Sequence, residues 1–183
     1  LLLQGSTWQY LDGGRKPVPT WRDLSADTEN WQRGKAPLGY GDSGMKTAMD
    51  FGGTSSDKAI TYYFRHVFDI PDPETIHQLT LHLIRDDGAV IYLNGREVAR
   101  DNLPGGTIEH DTRALSAAGG SDESTVRRFQ LSSERLVTGQ NILAAEVHQA
   151  SPTSSDLRFD AWLETHSSLE LPIHGETWLK ARS

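Results

Sequence analysis

The sequence contains no cysteine, so it has no disulfide framework, no thiolate metal site and no cysteine nucleophile. It also lacks an excess of basic charge, because 18 Lys and Arg stand against 25 Asp and Glu, for a formal net charge of −7. We therefore expect no nucleic-acid partner, since phosphate binding requires a basic face. No apolar run approaches the roughly 20 residues that span a bilayer, so no membrane partner is expected either.

The chain does not begin with methionine, and its opening Leu-Leu-Leu is too short for the apolar core of a signal peptide. Both features predict a piece of a longer polypeptide, which we expect to be a secreted or cell-surface bacterial protein. The motif GSTW at 5–8 returns as GETW at 175–178. Residues 1–168 are therefore predicted to form one module, and 169–183 a linker or the start of a following module. The alternative is a tail that carries an interface tryptophan.

What the chain does contain is typical of short strands joined by turns. Its 183 residues include 17 glycines and 8 prolines, and only 36% of them are hydrophobic. Apolar side chains recur with a period of two in segments 60–70 and 76–84. Residues 89–93 are β-prone and run into Asn94-Gly95, which is the strongest short-range signal for a hairpin.

The remaining segments also predict an all-β fold. Further strands are predicted at 126–131, 141–148 and 157–165, long polar loops at 12–58 and 101–125, and a turn or two of helix near 132–137. In the strand at 141–148, Glu146 and His148 share one face and Leu143, Ala145 and Val147 share the other.

These segments resemble a known family. The runs DDGAVIYLNGREV at 86–98, NILAAEVHQ at 141–149 and SSDLRFDAWL at 154–163 are similar to galactose-binding-like sandwich domains. These domains include the sugar-binding domain of family 2 glycoside hydrolases. The opening WQYLD at 8–12 and the loop PLGYG at 37–41 resemble accessory modules of bacterial secreted multidomain proteins. The resemblance spans roughly residues 5–165 and implies a two-sheet antiparallel jelly roll with an accessory role.

Aromatic and polar loop residues are the candidates for a ligand site. Trp21, Trp31 and Tyr40 could stack on a sugar ring; the alternative is that Trp8, Trp31 and Trp162 close the ends of the sandwich. The glycines beside Tyr40 predict an exposed ring; the alternative is that they only permit a tight turn. We expect one polysaccharide-facing groove at an end of the sandwich. Its predicted ligand-binding residues are Trp21, Trp31, Tyr40, Arg85, Asp86, His148, Gln149 and Asp156.

Acidic residues suggest two places for a calcium ion, which requires several oxygen ligands. The Asp86-Asp87 pair, with Asp156 or Asp160 brought near, is one; the alternative is a polar turn in which Asp86 bonds backbone amides. The second is Asp12 with Asp160, which the resemblance implies because relatives often hold a structural calcium where the end strands meet.

The sequence gives little support for a catalytic site. A triad of His148, Ser155 and Asp156 lacks the G-x-S-x-G elbow, and the seven histidines show no zinc-binding spacing. We therefore predict a non-enzymatic module that binds glycan and contacts neighbouring domains of its own polypeptide. The alternative is a docking module that binds no free ligand and buries Trp178 and residues 169–173 against a partner domain.

Overall fold

The computed structural model of the chain describes residues 1–166, which form eleven strands. The strands are β1 (Thr7–Leu11), β2 (Gln32–Lys35), β3 (Leu38–Tyr40), β4 (Thr47–Ala48), β5 (Thr61–Ile70), β6 (Gln78–Asp86), β7 (Gly88–Leu93), β8 (Arg96–Asp101), β9 (Arg127–Leu131), β10 (Gly139–His148) and β11 (Leu157–His166). Short 3-10 helices lie at Pro73–Thr75, Gly120–Ser124 and Ser133–Arg135. The predicted boundary at 168, the segment 169–183 and Trp178 lie outside the described residues.

The strands form two sheets. The larger has the order β2-β1-β5-β10-β7-β8 and the smaller has the order β4-β3-β11-β6-β9. Every pairing is antiparallel except the short parallel contact between β3 and β4. The predicted all-β sandwich is confirmed, whereas the prediction of an unbroken loop over 12–58 is wrong. That segment contains β2, β3 and β4, which are two to four residues long and too short to produce a readable period.

The hairpin between β7 and β8 turns at Asn94-Gly95, as predicted. Both residues have positive φ, 51° and 77°, which is the requirement of a two-residue turn of this kind. The Asn94 side chain also ties the hairpin to β10. Its Oδ1 accepts from the Ile142 amide at 2.9 Å, and its Nδ2 donates to Asn141 Oδ1 at 2.8 Å.

The main core lies between the sheets. Alternate residues of β5, including Tyr62 and Phe64, and of β10 pack against β6 and β11. Trp8 is fully buried there, with its ring edge-on to Phe159 at 5.0 Å between centroids. The predicted face of β10 is confirmed, because Leu143, Ala145 and Val147 belong to this core.

The outer face of the larger sheet is also covered. Loop residues between β1 and β2 and between β8 and β9 fold over it and bury a second apolar cluster. Its members are Leu11, Trp21, Tyr63, Val90, Tyr92, Leu103, Ala114 and Ala144. The outer faces of β5, β7 and β10 are therefore buried as well as their inner faces. Val90, Tyr92 and Ala144 are apolar or aromatic residues on this outer face, which explains why the alternation in β7 and β10 is weak in the sequence. Among residues 1–166, no helix has the length and apolar character needed to cross a membrane.

Candidate functional site

A recess opens where the two covering loops meet over the larger sheet. We call it the outer-face recess; its volume is about 300 Å³. Its lining combines apolar walls with polar and charged groups. The lining residues are Lys16, Pro17, Pro19, Trp21, Arg22, Tyr63, Thr107, Ile108, Glu109, His110 and Glu146.

Two neighbouring strands supply polar side chains to this recess. Tyr63 on β5 pairs directly with Glu146 on β10, so both side chains point out of the same face. Glu146 is only 6% exposed, and its Oε1 accepts a hydrogen bond from the hydroxyl of Tyr92 on β7. Burial, followed by the charge of Glu146, raises the pKa of Tyr63 and of Tyr92 above the ordinary value. Both hydroxyls therefore remain protonated donors across the physiological range.

Two histidines flank the carboxylate. The His110 ring stacks on Tyr63, and its Nδ1 lies 2.8 Å from the Tyr63 hydroxyl. His148 lies behind Glu146 with no exposed surface, and its Nδ1 lies 2.7 Å from the Thr112 carbonyl. A carbonyl can only accept, so Nδ1 carries a hydrogen and Nε2 faces Glu146 Oε2 at 3.5 Å. Burial, and then the charge of Lys16, lower the pKa of His110.

Cations border the recess. The Arg22 guanidinium lies over the Tyr92 ring at 4.4 Å, and Lys16 is exposed on the rim. The site therefore offers one buried acceptor, two positively charged donors, and hydroxyl and imidazole groups of mixed character. This set suits a small ligand that carries several hydroxyls.

Only part of the predicted groove forms at this recess. Trp21 is 5% exposed, with Tyr63 and Tyr92 edge-on to it at 5.0 and 5.9 Å and Trp31 stacked at 6.2 Å. Its ring faces are covered, so it can form a wall but cannot offer a stacking platform. Trp31 is half-buried beside it. His148 lies on the same face as Glu146 but is covered by the loop that carries Thr112, so it does not line the recess. This arrangement fits the alternative in which the tryptophans pack structurally.

Tyr40, Gln149, Asp86 and Asp156 lie elsewhere, at the end of the sandwich near the start of β11. The prediction of an exposed Tyr40 ring is wrong, since only 8% of the residue is exposed. A Cβ at Gly39 would lie 1.8 Å from the Leu157 carbonyl oxygen. That glycine lets β3 approach β11 closely and draws Tyr40 inward, where its ring lies against Tyr62 and Phe51.

The predicted ligand-binding residues Arg85 and Gln149 make structural contacts. Arg85 is buried and forms ion pairs with Asp101 and Asp122. Gln149 is fully buried, and its Nε2 donates to the Asp86 carbonyl at 3.2 Å. The single groove is therefore not formed. Its predicted residues divide between the outer face and the end of the sandwich.

Asp86 and Asp87 occupy the point where the chain passes from the smaller sheet to the larger. The structure is closer to the predicted polar turn than to a calcium site, but Asp87 takes the role that was predicted for Asp86. It is Asp87 that bonds backbone amides, those of Ala118 at 2.6 Å and Ala150 at 2.8 Å. Asp86 is buried beside it; desolvation, followed by the hydrogen bond and the charge of Asp87, raises the pKa of Asp86.

The structure does not form the predicted metal site of Asp12 and Asp160. Asp12 accepts from Arg15, Gln32 and the Asp50 amide at 2.8–2.9 Å, so both of its oxygens are bonded. Asp160 accepts instead from the Gly5 amide at 3.2 Å. Strand β1 lies between Gly5 and Asp12, and its five residues alone span about 13 Å. Within residues 1–166, no three His, Asp or Glu side chains group as metal ligands.

Several residues of the recess are not predicted from the sequence. Lys16, Arg22 and His110 lie in loops with no motif, so nothing signalled them. Tyr63 did carry a signal, because an aromatic residue on the outer face of a central strand indicates that something covers that face.

Comparisons with known proteins bear on the fold. No family model and no curated protein matches the chain. Among solved structures, it is similar to the β-glucuronidase 2 of Bacteroides uniformis, with 19% identity and a TM-score of 0.58 over 88% of this chain. A family 2 glycosyl hydrolase from Bacteroides cellulosilyticus gives 16% identity and a TM-score of 0.57 over 90% of this chain.

The likeness shows a shared fold. The chain has the β-sandwich architecture of a domain-sized part of these enzymes, in agreement with the resemblance found in the motifs. It spans only 17% of the length of the first structure and 20% of the second.

Proposed function

We propose that this chain is a non-catalytic, carbohydrate-binding domain of a larger extracytoplasmic bacterial protein, such as a glycoside hydrolase. The architecture supports the accessory part of this proposal. The matched structures are glycoside hydrolases of which the chain corresponds to a fifth or less. Their activities belong to the whole enzymes, and the chain would contribute binding or orientation to such a neighbour.

The outer-face recess is the observation that carries the binding part. At about 300 Å³ it stands at the lower end of small-molecule sites, a size suited to one or two sugar residues. Glu146 can accept from sugar hydroxyls, while Arg22 and Lys16 can donate to them. The proline and isoleucine walls offer apolar contact to the C–H groups of a pyranose. Because few groups take part, the affinity should be modest.

The test is affinity electrophoresis of the full chain in gels that contain neutral polysaccharides, followed by calorimetry with the oligosaccharides of any that retard it. Tyr63→Phe removes one hydroxyl from the recess and leaves the ring in place. We expect it to weaken binding about five- to tenfold, the worth of one hydrogen bond. Glu146→Gln should weaken binding further, because charge-assisted hydrogen bonds to sugar hydroxyls are lost.

Tyr10→Phe is the matched control. It also removes a buried tyrosine hydroxyl, whose hydrogen bond runs to Gln32 at 3.1 Å and which does not line the recess. Its binding should equal that of the parent chain. Absence of retention on every polysaccharide, or equal losses in Tyr10→Phe and Tyr63→Phe, would contradict the proposal.

A docking role is the second candidate, favoured by the small share of the matched enzymes that the chain represents. In that case the full chain would bind no glycan, and Tyr63→Phe would change no measured affinity. Joining the chain to its natural neighbouring domain would then raise the thermal midpoint of that neighbour, whereas a purely glycan-binding domain would leave it unchanged.

A further inference from the structure

Arg65 is a buried cation on the outer face of the larger sheet. It lies on β5, where it pairs with Gln9 of β1 on one side and Ala144 of β10 on the other. Only 2% of the residue is exposed. Its guanidinium carbon lies 5.7 Å from the centre of the Trp31 ring. A charge in such a position requires compensation, because desolvation of a charged group is costly.

The compensation that the structure supplies is incomplete. Nη2 donates to the Asp23 carbonyl at 2.8 Å, but Nε and Nη1 are buried and have no acceptor. Arg65 forms no ion pair with any acid of residues 1–166, although the charge of Asp23 opposes the lowering of its pKa by burial. A guanidinium stays protonated in proteins, so Arg65 remains a positive charge with two unpartnered nitrogens.

Arg65 also lines a second recess, of about 200 Å³, which we call the arginine recess. Its lining contains two arginines and a histidine and no acidic residue, although the chain as a whole has a net charge of −7. The lining residues are Thr7, Trp8, Gln9, Arg33, Arg65, His66 and Val67. Arg33 is exposed at this recess and makes no ion pair within the described part of the chain.

We propose that the arginine recess binds a small oxyanion, the carboxylate of an acidic sugar or an inorganic anion such as sulfate. Arg65 supplies a desolvated positive charge at the base of the recess, and Arg33 supplies a second charge and exposed N–H donors at its mouth. Carboxylate and sulfate oxygens are the acceptors that a guanidinium pairs with best, through short charge-assisted hydrogen bonds. The site is separate from the outer-face recess and does not depend on the binding of neutral sugars there.

The direct test is a titration of the full chain, labelled with ¹⁵N, against galacturonate, glucuronate and sulfate, with galactose and sodium chloride as controls. The Arg65 Nε–H resonance and the Gln9 and Arg33 amides report on the recess. We expect saturable shifts of these signals with an oxyanion and none with galactose or chloride at equal ionic strength. A response to the uronates alone identifies an acidic sugar as the ligand, and an equal response to sulfate identifies a general oxyanion site.

Variants decide whether the shifts arise from this recess. Arg33→Glu places a carboxylate at the mouth without disturbing buried packing and should weaken oxyanion binding at least tenfold. Arg65→Met should abolish binding; if it fails to fold by circular dichroism, Arg33→Glu carries the test. Arg128→Glu is the matched control, since Arg128 is exposed on β9 of the other sheet. No saturable shift in the parent chain, or unchanged binding in Arg33→Glu, overturns the proposal and leaves Arg65 a structural residue.

Discussion

The buried Asp86–Asp87 pair predicts an unusual loss of stability as the pH rises. The Asp87 carboxylate accepts from the Ala118 amide, the Ala150 amide and, at 3.4 Å, the Ser154 hydroxyl. Asp86 is buried and its carboxyl receives no donor from the rest of the described chain. The shared proton therefore resides on Asp86, where burial and the neighbouring Asp87 raise the pKa from 3.8 to about 9.

The direction of this stability change follows from the number of protons that the native and the unfolded chain bind. Between pH 3.8 and about 9, the native chain holds a proton on Asp86 that the unfolded chain has lost. The stabilisation is complete below the lower value and disappears as the pH rises toward the upper one. The slope is about 1.4 kcal/mol per pH unit well below the upper pKa and halves at that pKa, so the unfolding free energy should fall by about 2 kcal/mol between pH 7 and pH 9. For a domain of this size, that corresponds to a decrease of about 4–8 °C in the thermal midpoint.

Calorimetric melts of the parent chain and of Asp86→Asn test this reasoning. The amide of the variant can still donate to Asp87 but cannot ionise, so its midpoint should be nearly constant from pH 7 to pH 9. Asp57→Asn, at an exposed position, should keep the slope of the parent. The lowered pKa of His66 and of His110 confines their titration below this range, and Asp160, with a pKa raised to about 6, has also ionised by pH 7. A flat parent curve, or an unchanged slope in Asp86→Asn, refutes the assignment of the proton.

Three further predictions concern stability, measured by urea unfolding. Trp8→Ala opens a large cavity in the main core and should cost about 3–5 kcal/mol, whereas Leu3→Ala, at a residue that is 73% exposed, should change stability by less than about 0.5 kcal/mol. Asn141→Ala removes buried hydrogen bonds to the Val137 carbonyl at 2.7 Å and from the Val137 amide at 2.9 Å, and should cost about 1–3 kcal/mol; a loss below a few tenths would contradict that role. Asp12→Ala should destabilise the chain equally in calcium and in a chelator, because its oxygens already have protein partners; protection by calcium in the parent alone would revive Asp12 as a metal ligand.

Strands can be predicted from the sequence where only one face is apolar, or where a turn requires particular residues such as Asn-Gly. The period of two in 60–70 predicts β5, and Asn94-Gly95 predicts the hairpin, because both depend on neighbours in the chain. The candidate site was less accessible. Its floor comes from residues on two paired strands and its walls from two loops, so no local pattern joins Glu146 to Lys16 or His110.

The amino-acid sequence by itself determined the all-β class, the main strands and the inner face of β10, because alternation and turn chemistry are local properties. Only the tertiary structure decided which side chains are available to a ligand. The glycines beside Tyr40 predict an exposed ring, but Tyr40 is buried because Gly39 allows the backbone to approach Leu157. Glu146 and Arg65 lie on a face that would be open to solvent in a bare sheet, and loops that are distant in the chain cover it. Long-range packing sets that burial, and with it the charge and hydrogen-bonding state of both recesses.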